Sequence, residues 1–230
     1  MPLGLITGAS KGFGRAVARE LAAQGWDLVV DARDADQLAS ALAQSPNVTT
    51  IAGDVTDSLH RRSLAHAIGD RALDLLVNNA SHLGPSPQPD LATYDLDELR
   101  RVYDTNVFAP LALTQLLLHA LARGDRGTVV NVTSDASVEA YAGWGGYGSS
   151  KAALDQLSRI LGEEHRELRV YAFDPGDMRT EMHQAAFPGE DISDRPEPET
   201  VVPGLLRLLG DRPSSGRIRA ADLLTPVGAC

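Results

Sequence analysis

The stretch that decides the fold is Leu3-Gly4-Leu5-Ile6-Thr7-Gly8-Ala9-Ser10-Lys11-Gly12-Phe13-Gly14. Its first five residues predict a short buried strand, and the pattern of Val17 and Leu21 after it predicts a helix that ends near Gly25. Glycines allow the main chain to approach a phosphate, and the helix N-terminus offers free N–H groups and a partial positive charge. The stretch therefore predicts a dinucleotide-binding loop. The alternative is a glycine-rich turn without a ligand, because Gly8-x-x-x-Gly12-x-Gly14 differs from the usual Gly-x-Gly-x-x-Gly spacing.

Strand and helix patterns alternate along the rest of the chain. Predicted strands cover residues 3–7, 28–33, 48–53, 73–77, 128–134, 169–173 and 217–219, and predicted helices cover residues 35–42, 97–121, 202–209 and the region after 146. Inside the long helical pattern, Asn106 and Pro110 predict a local distortion. This alternation is typical of an α/β fold with a parallel sheet and helices on both faces.

Composition limits the class of protein. Of the 230 residues, 43% are hydrophobic and 23% charged, which is ordinary for a globular domain. The net charge of −10 argues against a nucleic-acid partner. The single cysteine, Cys230, excludes an internal disulfide and a multi-cysteine metal site, and His183 lacks the clustered ligands that a metal would need. No segment reads as a membrane span of about 20 apolar residues, so we expect a cytoplasmic location.

The exit of the second predicted strand, Asp31-Ala32-Arg33, indicates the cofactor. In a dinucleotide-binding fold a carboxylate here binds the ribose 2′-hydroxyl, whereas an arginine binds a 2′-phosphate. Arg33 supplies the arginine and Lys11 adds a second positive charge, which favours NADP(H) over NAD(H). Asp31 shares a face with Arg33, so the alternative is that the two are solvated or paired with each other.

Other strand ends carry polar residues. Asp54 is expected either to cap the next helix or to bind the adenine edge of a cofactor. Asn78 and Asn79 are expected to tie neighbouring strands together. Ser134 ends a nearly continuous apolar strand, at the sheet edge where open α/β folds bind ligands.

Tyr147 and Lys151 lie four residues apart and so share one helix face. An ammonium beside a phenol is expected to lower the phenol pKa, which suits the phenol for general acid–base catalysis. Residues 177–200 are polar and proline-bearing, as expected of a mobile substrate lid. Side chains near this pair that are candidates for the substrate pocket, or for packing alone, are Tyr141, Trp144, Met182, His183 and Phe187.

Over essentially its whole length the sequence resembles the short-chain dehydrogenase/reductase family. The glycine motif appears as Thr7, Gly8, Gly12 and Gly14, the Asp-Val motif as Asp54-Val55, and the Asn-Asn-Ala-Gly motif as Asn78-Asn79-Ala80-Ser81. Ser81 departs from this pattern, which questions the local main-chain path but not the chemistry. The family's catalytic four fall on Asn106, Ser134, Tyr147 and Lys151, and its Pro-Gly-x-x-x-Thr motif falls on Pro175, Gly176 and Thr180.

The resemblance implies one Rossmann-like doubly wound domain over residues 1–230, with a seven-stranded parallel sheet in the order 3-2-1-4-5-6-7. It also implies reduction of a ketone or aldehyde with NADP(H), or the reverse reaction. The discriminating aspartate of NAD-dependent members aligns with Ala32, and the arginine of NADP-dependent members with Arg33. The implied cofactor-binding residues are Gly8, Ser10, Lys11, Gly12, Phe13, Gly14, Arg33, Asp54, Val55, Asn79, Ala80, Tyr147, Lys151, Pro175, Gly176 and Thr180.

The resemblance further assigns roles at the reaction centre. Tyr147 is the implied proton donor, Lys151 lowers its pKa and binds the nicotinamide ribose, and Ser134 holds the substrate oxygen. Asn106 is expected to support a water that links Lys151 to solvent. Thr180 and the main chain after Pro175 are expected to hold the carboxamide.

Three alternatives remain at this point. They are an epimerase or dehydratase, a non-catalytic NADP(H)-binding regulator or scaffold, and an alcohol dehydrogenase that works in the oxidative direction. The expected partners are a small carbonyl or alcohol substrate and further copies of the chain, as a homodimer or homotetramer. The apolar residues compatible with such an interface, or with plain core, are Leu113, Leu116, Leu117, Ala152, Ala153 and Leu154.

Overall fold

Seven parallel strands form one sheet within the described part of the chain, in the order β3-β2-β1-β4-β5-β6-β7. The structure is a computed structural model that describes residues 1–124 and 126–224, so Cys230 lies outside it. The strands are β1 (Leu3–Ile6), β2 (Asp27–Ala32), β3 (Val48–Ala52), β4 (Leu75–Asn78), β5 (Thr128–Val132), β6 (Arg169–Asp174) and β7 (Gly216–Arg219). The predicted fold class and strand order are confirmed.

Helices follow the strands and cover both faces of the sheet. They are α1 (Gly12–Ala23), α2 (Ala35–Ala41), α3 (Ser58–Ile68), α4 (Leu96–Tyr103), α5 (Ala109–Arg123), α6 (Gly145–Glu164), α7 (Glu181–Ala186), α8 (Pro198–Asp211) and α9 (Ala220–Leu224). Short 3-10 turns lie at Leu91–Thr93 and Asp135–Ser137.

The core forms two layers because successive strand residues point to opposite faces of the sheet. Ile6 and Val30 belong to the layer that contains buried residues of α1 and α8. Leu5 and Val29, their neighbours along the same strands, belong to the layer that contains buried residues of α3 and α5. The sheet is therefore buried on both sides, and its carboxyl edge is left for binding.

The long helix expected over residues 97–121 is divided into three segments. A π-helical segment, Asp104–Phe108, separates α4 from α5 and contains the fully buried Asn106. Pro110 lies in the first turn of α5, where its missing N–H group is tolerated. The predicted distortion is confirmed, and it takes the form of a π-helical segment, which is common at functional sites.

By length and composition alone, the run Leu96–Arg123 would be long and apolar enough to cross a membrane. This qualifies the expectation that no segment reads as a span. Half of its most apolar window is buried inside the fold, however, as is usual for a core helix. The run is therefore weak evidence for a membrane segment.

A glycine substitution tests the tight contact between the glycine loop and the end of β4. A Cβ built on Gly14 would collide with the Asn79 side chain and the Gly8 carbonyl oxygen. We expect Gly14→Ala to lower the free energy of unfolding by about 1–3 kcal/mol, as overpacking does. Gly210→Ala is the matched control, since nothing lies within 4 Å of its built Cβ. Chemical denaturation measures both variants, and a Gly14→Ala protein as stable as the parent would contradict the contact.

Candidate functional site

The glycine loop and the first turn of α1 form a cradle suited to a phosphate. Gly8 and Gly12 have positive φ angles of 67° and 54°, which L side chains rarely adopt. A Cβ on Gly8 would lie 2.9 Å from Cα of Ala80. Within the described residues, α1 has neither a side-chain cap at Lys11 nor an acidic residue in its first turn. Its free N–H groups therefore fit an anionic diphosphate.

Asp31 lines the cleft beside Arg33, and its carboxylate is bonded to the glycine loop and to His60. The buried carboxylate accepts a hydrogen bond from the Gly8 N–H at 2.9 Å, and its other oxygen lies 2.9 Å from Nε2 of His60. Burial raises the pKa of Asp31, and the contact with His60 acts in the opposite direction. Arg33 is exposed beside the cleft and has no hydrogen bond or ion pair among the described residues. The alternative in which Asp31 pairs with Arg33 is therefore wrong.

Two other residues near this end differ from expectation. Lys11 forms an ion pair with Glu181 at the start of α7, so its binding to a 2′-phosphate stays a prediction. Asp54 does not cap α3, because Asp57 does so by accepting the Leu59 N–H at 2.8 Å. Asp54 instead accepts the N–H of Thr56 at 2.8 Å and remains at the cleft wall.

Asparagine side chains join the strands beneath the cleft, as expected. Asn78 on β4 donates to Oδ1 of Asn131 on β5 at 2.7 Å. Asn79 donates to the carbonyl oxygen of Thr7 at 2.9 Å. These bonds satisfy buried polar groups and fix the spacing of the three central strands.

Helix α6 brings Tyr147 and Lys151 to the catalytic end of the cleft, where both are buried. Nζ of Lys151 donates to the carbonyl oxygen of Val132 at 2.9 Å and lies 5.5 Å from the centre of the Tyr147 ring. Ser134 lies within hydrogen-bonding range of the phenol, and its hydroxyl donates to Oδ1 of Asp135 at 2.8 Å. The structure thus brings together three of the four residues implied as catalytic.

The pKa values of this pair differ from the expected direction. Burial raises the pKa of Tyr147 to about 12, and burial lowers the pKa of Lys151 to about 8, with the Asp155 carboxylate opposing the latter shift. The expected lowering at Tyr147 is therefore not observed. Desolvation penalises the charged form of each group, and the ammonium bonds to a main-chain carbonyl rather than to the phenol oxygen.

Asn106 is held entirely by protein groups. Its Oδ1 accepts from the His82 N–H at 2.8 Å and from the Ser81 hydroxyl at 3.1 Å, and its Nδ2 donates to the His82 carbonyl at 2.9 Å and to Oγ of Ser150 at 3.0 Å. Both donors and both acceptor positions of the amide are used. The amide therefore has no free hydrogen-bonding group left for the expected water, and the proton link from Lys151 to solvent stays a prediction.

Ser81 is a site residue whose importance the sequence signalled only as a departure from a motif. Its hydroxyl lies within hydrogen-bonding range of the Tyr147 phenol, and this contact lowers the pKa of the phenol. The same hydroxyl donates to Oδ1 of Asn106. A glycine at this position could supply neither contact, so the departure bears on the chemistry as well as on the main chain.

An aromatic wall flanks Tyr147 on the side of the lid. The Trp144 ring lies 5.9 Å from Tyr147 and 5.6 Å from Phe187, and Phe187 lies 4.9 Å from His183. The Tyr141 ring lies 6.1 Å from that of Trp144, and its hydroxyl donates to Oδ2 of Asp135 at 3.0 Å. Among the pocket candidates, Trp144, Met182 and His183 line the cleft directly.

A single cleft of about 280 Å³ joins these parts. Of the residues predicted to be catalytic or to bind the cofactor or substrate, those that do not line it are Gly14, Asn106, Tyr141 and Phe187. Residues 177–200 border the cleft through α7 and the segment before it. No group of three or more side chains suited to a metal occurs in residues 1–124 and 126–224.

Known proteins resemble this chain over most of its length. The family model described as short chain dehydrogenase matches residues 3–191. Benzil reductase ((S)-benzoin forming) of Bacillus subtilis (strain 168) is 36% identical over 188 residues, covering 79% of this chain and 76% of the relative. L-xylulose reductase of Bos taurus is 33% identical over 225 residues, covering 91% and 89%.

Solved structures share the fold. A short chain dehydrogenase from Shigella flexneri 2a str. 301, complexed with NADP, has a TM-score of 0.88 at 29% identity and covers 96% of this chain and 97% of its own. A short chain dehydrogenase from Escherichia coli CFT073, complexed with NADPH, has a TM-score of 0.88 at 29% identity, covering 95% and 96%. With a family model that spans most of the chain and curated relatives above 30% identity, this protein belongs to the short-chain dehydrogenase/reductase family of NAD(P)-dependent oxidoreductases.

Proposed function

We propose that the protein is an NADP(H)-dependent carbonyl reductase that converts a ketone or aldehyde to an alcohol. The observation that carries the proposal is the buried phenol of Tyr147, which stands between Ser134 and Lys151 at the end of a cleft that begins at the glycine loop. A non-catalytic regulator would have no need of this arrangement of proton-bearing groups.

Each residue has a task at the substrate oxygen. Ser134 holds the carbonyl oxygen, and Tyr147 delivers its proton to that oxygen as negative charge develops there. Lys151 contributes positive charge next to the phenol. The chemistry that NADPH supplies when bound is hydride transfer to the carbonyl carbon. The residues that would hold it are the Gly8–Gly12 loop, Lys151, Thr180 and the main chain after Pro175.

The raised pKa of Tyr147 suits the phenol for proton donation to the substrate oxygen. A phenol with a pKa of about 12 keeps its proton at neutral pH and releases it to a more basic alkoxide-like oxygen. Alcohol oxidation would run the same proton transfer in reverse, from the alcohol to the Tyr147 phenolate.

The preference for NADP(H) is supported by Arg33. This arginine is exposed at the cleft and free of ion pairs within the described residues, while Asp31 is buried and bonded to Gly8 and His60. An unpaired guanidinium suits a 2′-phosphate, because it can bond the phosphate oxygens in a fork. NADP and NADPH in two neighbouring structures agree with this choice.

The substrate is proposed to be uncharged and partly aromatic. Trp144, Met182 and Leu83 give the wall beside Tyr147 an apolar surface. Asp135 and Asp177 line the same end of the cleft and would repel an anionic substrate. The similarity to a benzil reductase is consistent with an aryl ketone or diketone. Residues 177–200 are proposed to act as the lid over this substrate.

Self-association is proposed through α5, α6 and the π-helical segment. Phe108, Leu116 and Ile160 are large apolar residues that are 56%, 47% and 43% exposed. Of the apolar residues considered for an interface, Leu113, Leu117 and Leu154 are instead buried in the chain. A homodimer or homotetramer in the cytoplasm remains the expected state.

Replacement of Tyr147 tests the function. With NADPH and a panel of aldehydes, aryl ketones and diketones, we expect turnover by the parent and a decrease in kcat/KM of about 10²–10⁴ in Tyr147→Phe, the usual contribution of a general acid. NADPH binding, followed by fluorescence, should stay near the parental value. Tyr103→Phe removes a phenol outside the cleft and serves as control. Equal loss of binding and turnover in Tyr147→Phe would contradict the assigned role.

Replacement of Arg33 tests cofactor choice. We expect Arg33→Ala to raise the KM for NADPH by about tenfold to a hundredfold, since hydrogen bonds to a charged group contribute about 1.5–3 kcal/mol. The KM for NADH should change little, because NADH lacks the 2′-phosphate. Arg62→Ala removes an exposed arginine outside the cleft and should leave both values unchanged. A parallel loss with both cofactors would refute the selector role.

The lowered pKa of Lys151 gives a pH dependence. The ammonium is charged below its pKa of about 8 and loses its proton above it, while Tyr147 stays protonated throughout this range. We therefore expect kcat/KM for carbonyl reduction to fall above about pH 8. Because Asp155 raises the pKa of Lys151, Asp155→Asn should move this limb to lower pH. A flat profile up to pH 10 in both proteins would be the contrary result.

A further inference from the structure

A half-buried arginine on the last strand contacts three parts of the catalytic end. Arg217 on β7 is 16% exposed. Its Nη2 donates to Oδ2 of Asp174 at 2.7 Å and to the carbonyl oxygen of Ser134 at 3.1 Å. Its Nε donates to Oδ2 of Asp155 at 3.2 Å. One guanidinium thus joins β7 to the end of β6, to the turn after β5 and to helix α6.

Each partner of Arg217 leads directly to a residue of the reaction centre. Asp155 lies one turn after Lys151 on α6. Asp174 ends β6, and its Oδ1 accepts the N–H of Gly176 at 3.0 Å, which fixes the start of the Pro-Gly segment. Ser134 carries the hydroxyl that lies beside the Tyr147 phenol.

Among the described residues, Arg217 is the ion-pair partner of both Asp155 and Asp174. Asp155 and Asp174 are 3% and 4% exposed, so removal of the cation would leave two carboxylates in a poorly solvated interior. Ser137 donates to the same Asp155 oxygen at 2.7 Å, but a hydroxyl cannot neutralise the charge. A planar guanidinium can donate in several fixed directions at once, whereas a lysine ammonium could not reproduce this geometry.

We propose that Arg217 is a positioning residue of the reductase reaction, holding Ser134, the Lys151 helix and the Pro175–Gly176 segment in one arrangement. The catalytic part of this inference rests on the function proposed above. The contacts of Arg217 with Asp155, Asp174 and Ser134 hold whatever the substrate.

Arg217 also balances the charges around Lys151 and Tyr147. Asp155 raises the pKa of Lys151, and Arg217 contacts this same carboxylate and so weakens its effect. Further titratable side chains line the catalytic end of the cleft from other elements, namely His82, Asp135, Asp174, Asp177 and His183. Without the guanidinium, the Asp155 carboxylate would no longer be paired with a cation. It would then raise the pKa of Lys151 further, and the ammonium would keep its proton to higher pH.

The test compares Arg217→Met, Arg217→Lys and Arg219→Met. Arg219 lies on the same strand, is exposed and pairs with Asp222 at the surface, so Arg219→Met is the matched control. We expect Arg217→Met to lower kcat/KM about a hundredfold, as displaced catalytic groups do, and to weaken NADPH binding through the Gly176 segment. Its alkaline limb should move upward, opposite to that of Asp155→Asn. Arg217→Lys keeps the charge, so kcat/KM should fall above nearly the same pH as in the parent. Its kcat/KM should lie between those of the parent and Arg217→Met.

The outcomes separate a positioning role from a structural one. Thermal unfolding followed by circular dichroism establishes which variants are folded. A folded Arg217→Met protein with parental kinetics, parental NADPH binding and a parental pH profile would overturn the inference. Lower stability and lower kcat/KM with an unchanged alkaline side of the pH profile would also overturn it. If Arg217→Met does not fold, Arg217→Lys decides, since parental rate and NADPH binding in that variant would also overturn it.

Failure of the proposed function would be seen separately. If the parent protein reduces no member of the carbonyl panel, the reductase assignment fails, and the inference is judged on NADPH binding alone. Weaker NADPH binding by Arg217→Met than by Arg219→Met would then support the part of the inference in which Arg217, through Asp174, positions the Gly176 segment. Equal binding by all three variants and the parent would refute it.

Discussion

The buried ammonium of Lys151 is the group on which the arrangement of the catalytic end depends. A charge with 2% of its surface exposed needs a partner, and the hydrogen-bond acceptor it has among the described residues is the carbonyl oxygen of Val132 at the end of β5. Parallel strands bring the ends of β5 and β6 to one edge, and α6 crosses behind them. The carboxylates of Asp155 and Asp174 balance the nearby cations at the same edge. The Lys151 ammonium therefore ties helix α6 to the end of β5.

Burial acts on both members of the reactive pair, but in opposite directions. It stabilises the neutral phenol of Tyr147 and the neutral amine of Lys151, because each charged form loses hydration. Burial therefore opposes an ion pair between a Tyr147 phenolate and a Lys151 ammonium, and the phenol keeps its proton. Contacts with the Ser81 and Ser134 hydroxyls act against burial and lower the pKa of the phenol. The protein thus sets its proton chemistry as much by excluding water as by placing a cation.

Local patterns in the sequence were sufficient for the fold and for much of the site. The strand–turn–helix form of the glycine loop, the strand periodicity and the Asn106 distortion depend on residues close together in the chain, and all three are confirmed. Contacts between distant residues could not be predicted in this way. The Asp31–His60 pair joins residues 29 apart, and the bond from Arg217 to Ser134 joins residues 83 apart. The direction of the Tyr147 pKa shift also depends on burial, which no spacing of residues reveals.

The π-helical segment makes the length of the chain between α4 and α5 as constrained as its composition. Each residue of a helix turns the remainder by about 100°. The wider turn at Asp104–Phe108 therefore sets which side of α5 meets the sheet. The π turn takes up one residue more than an α turn, and Leu113 and Leu117 face the core after it. A further insertion here would rotate all 15 residues of α5 about the helix axis relative to the sheet.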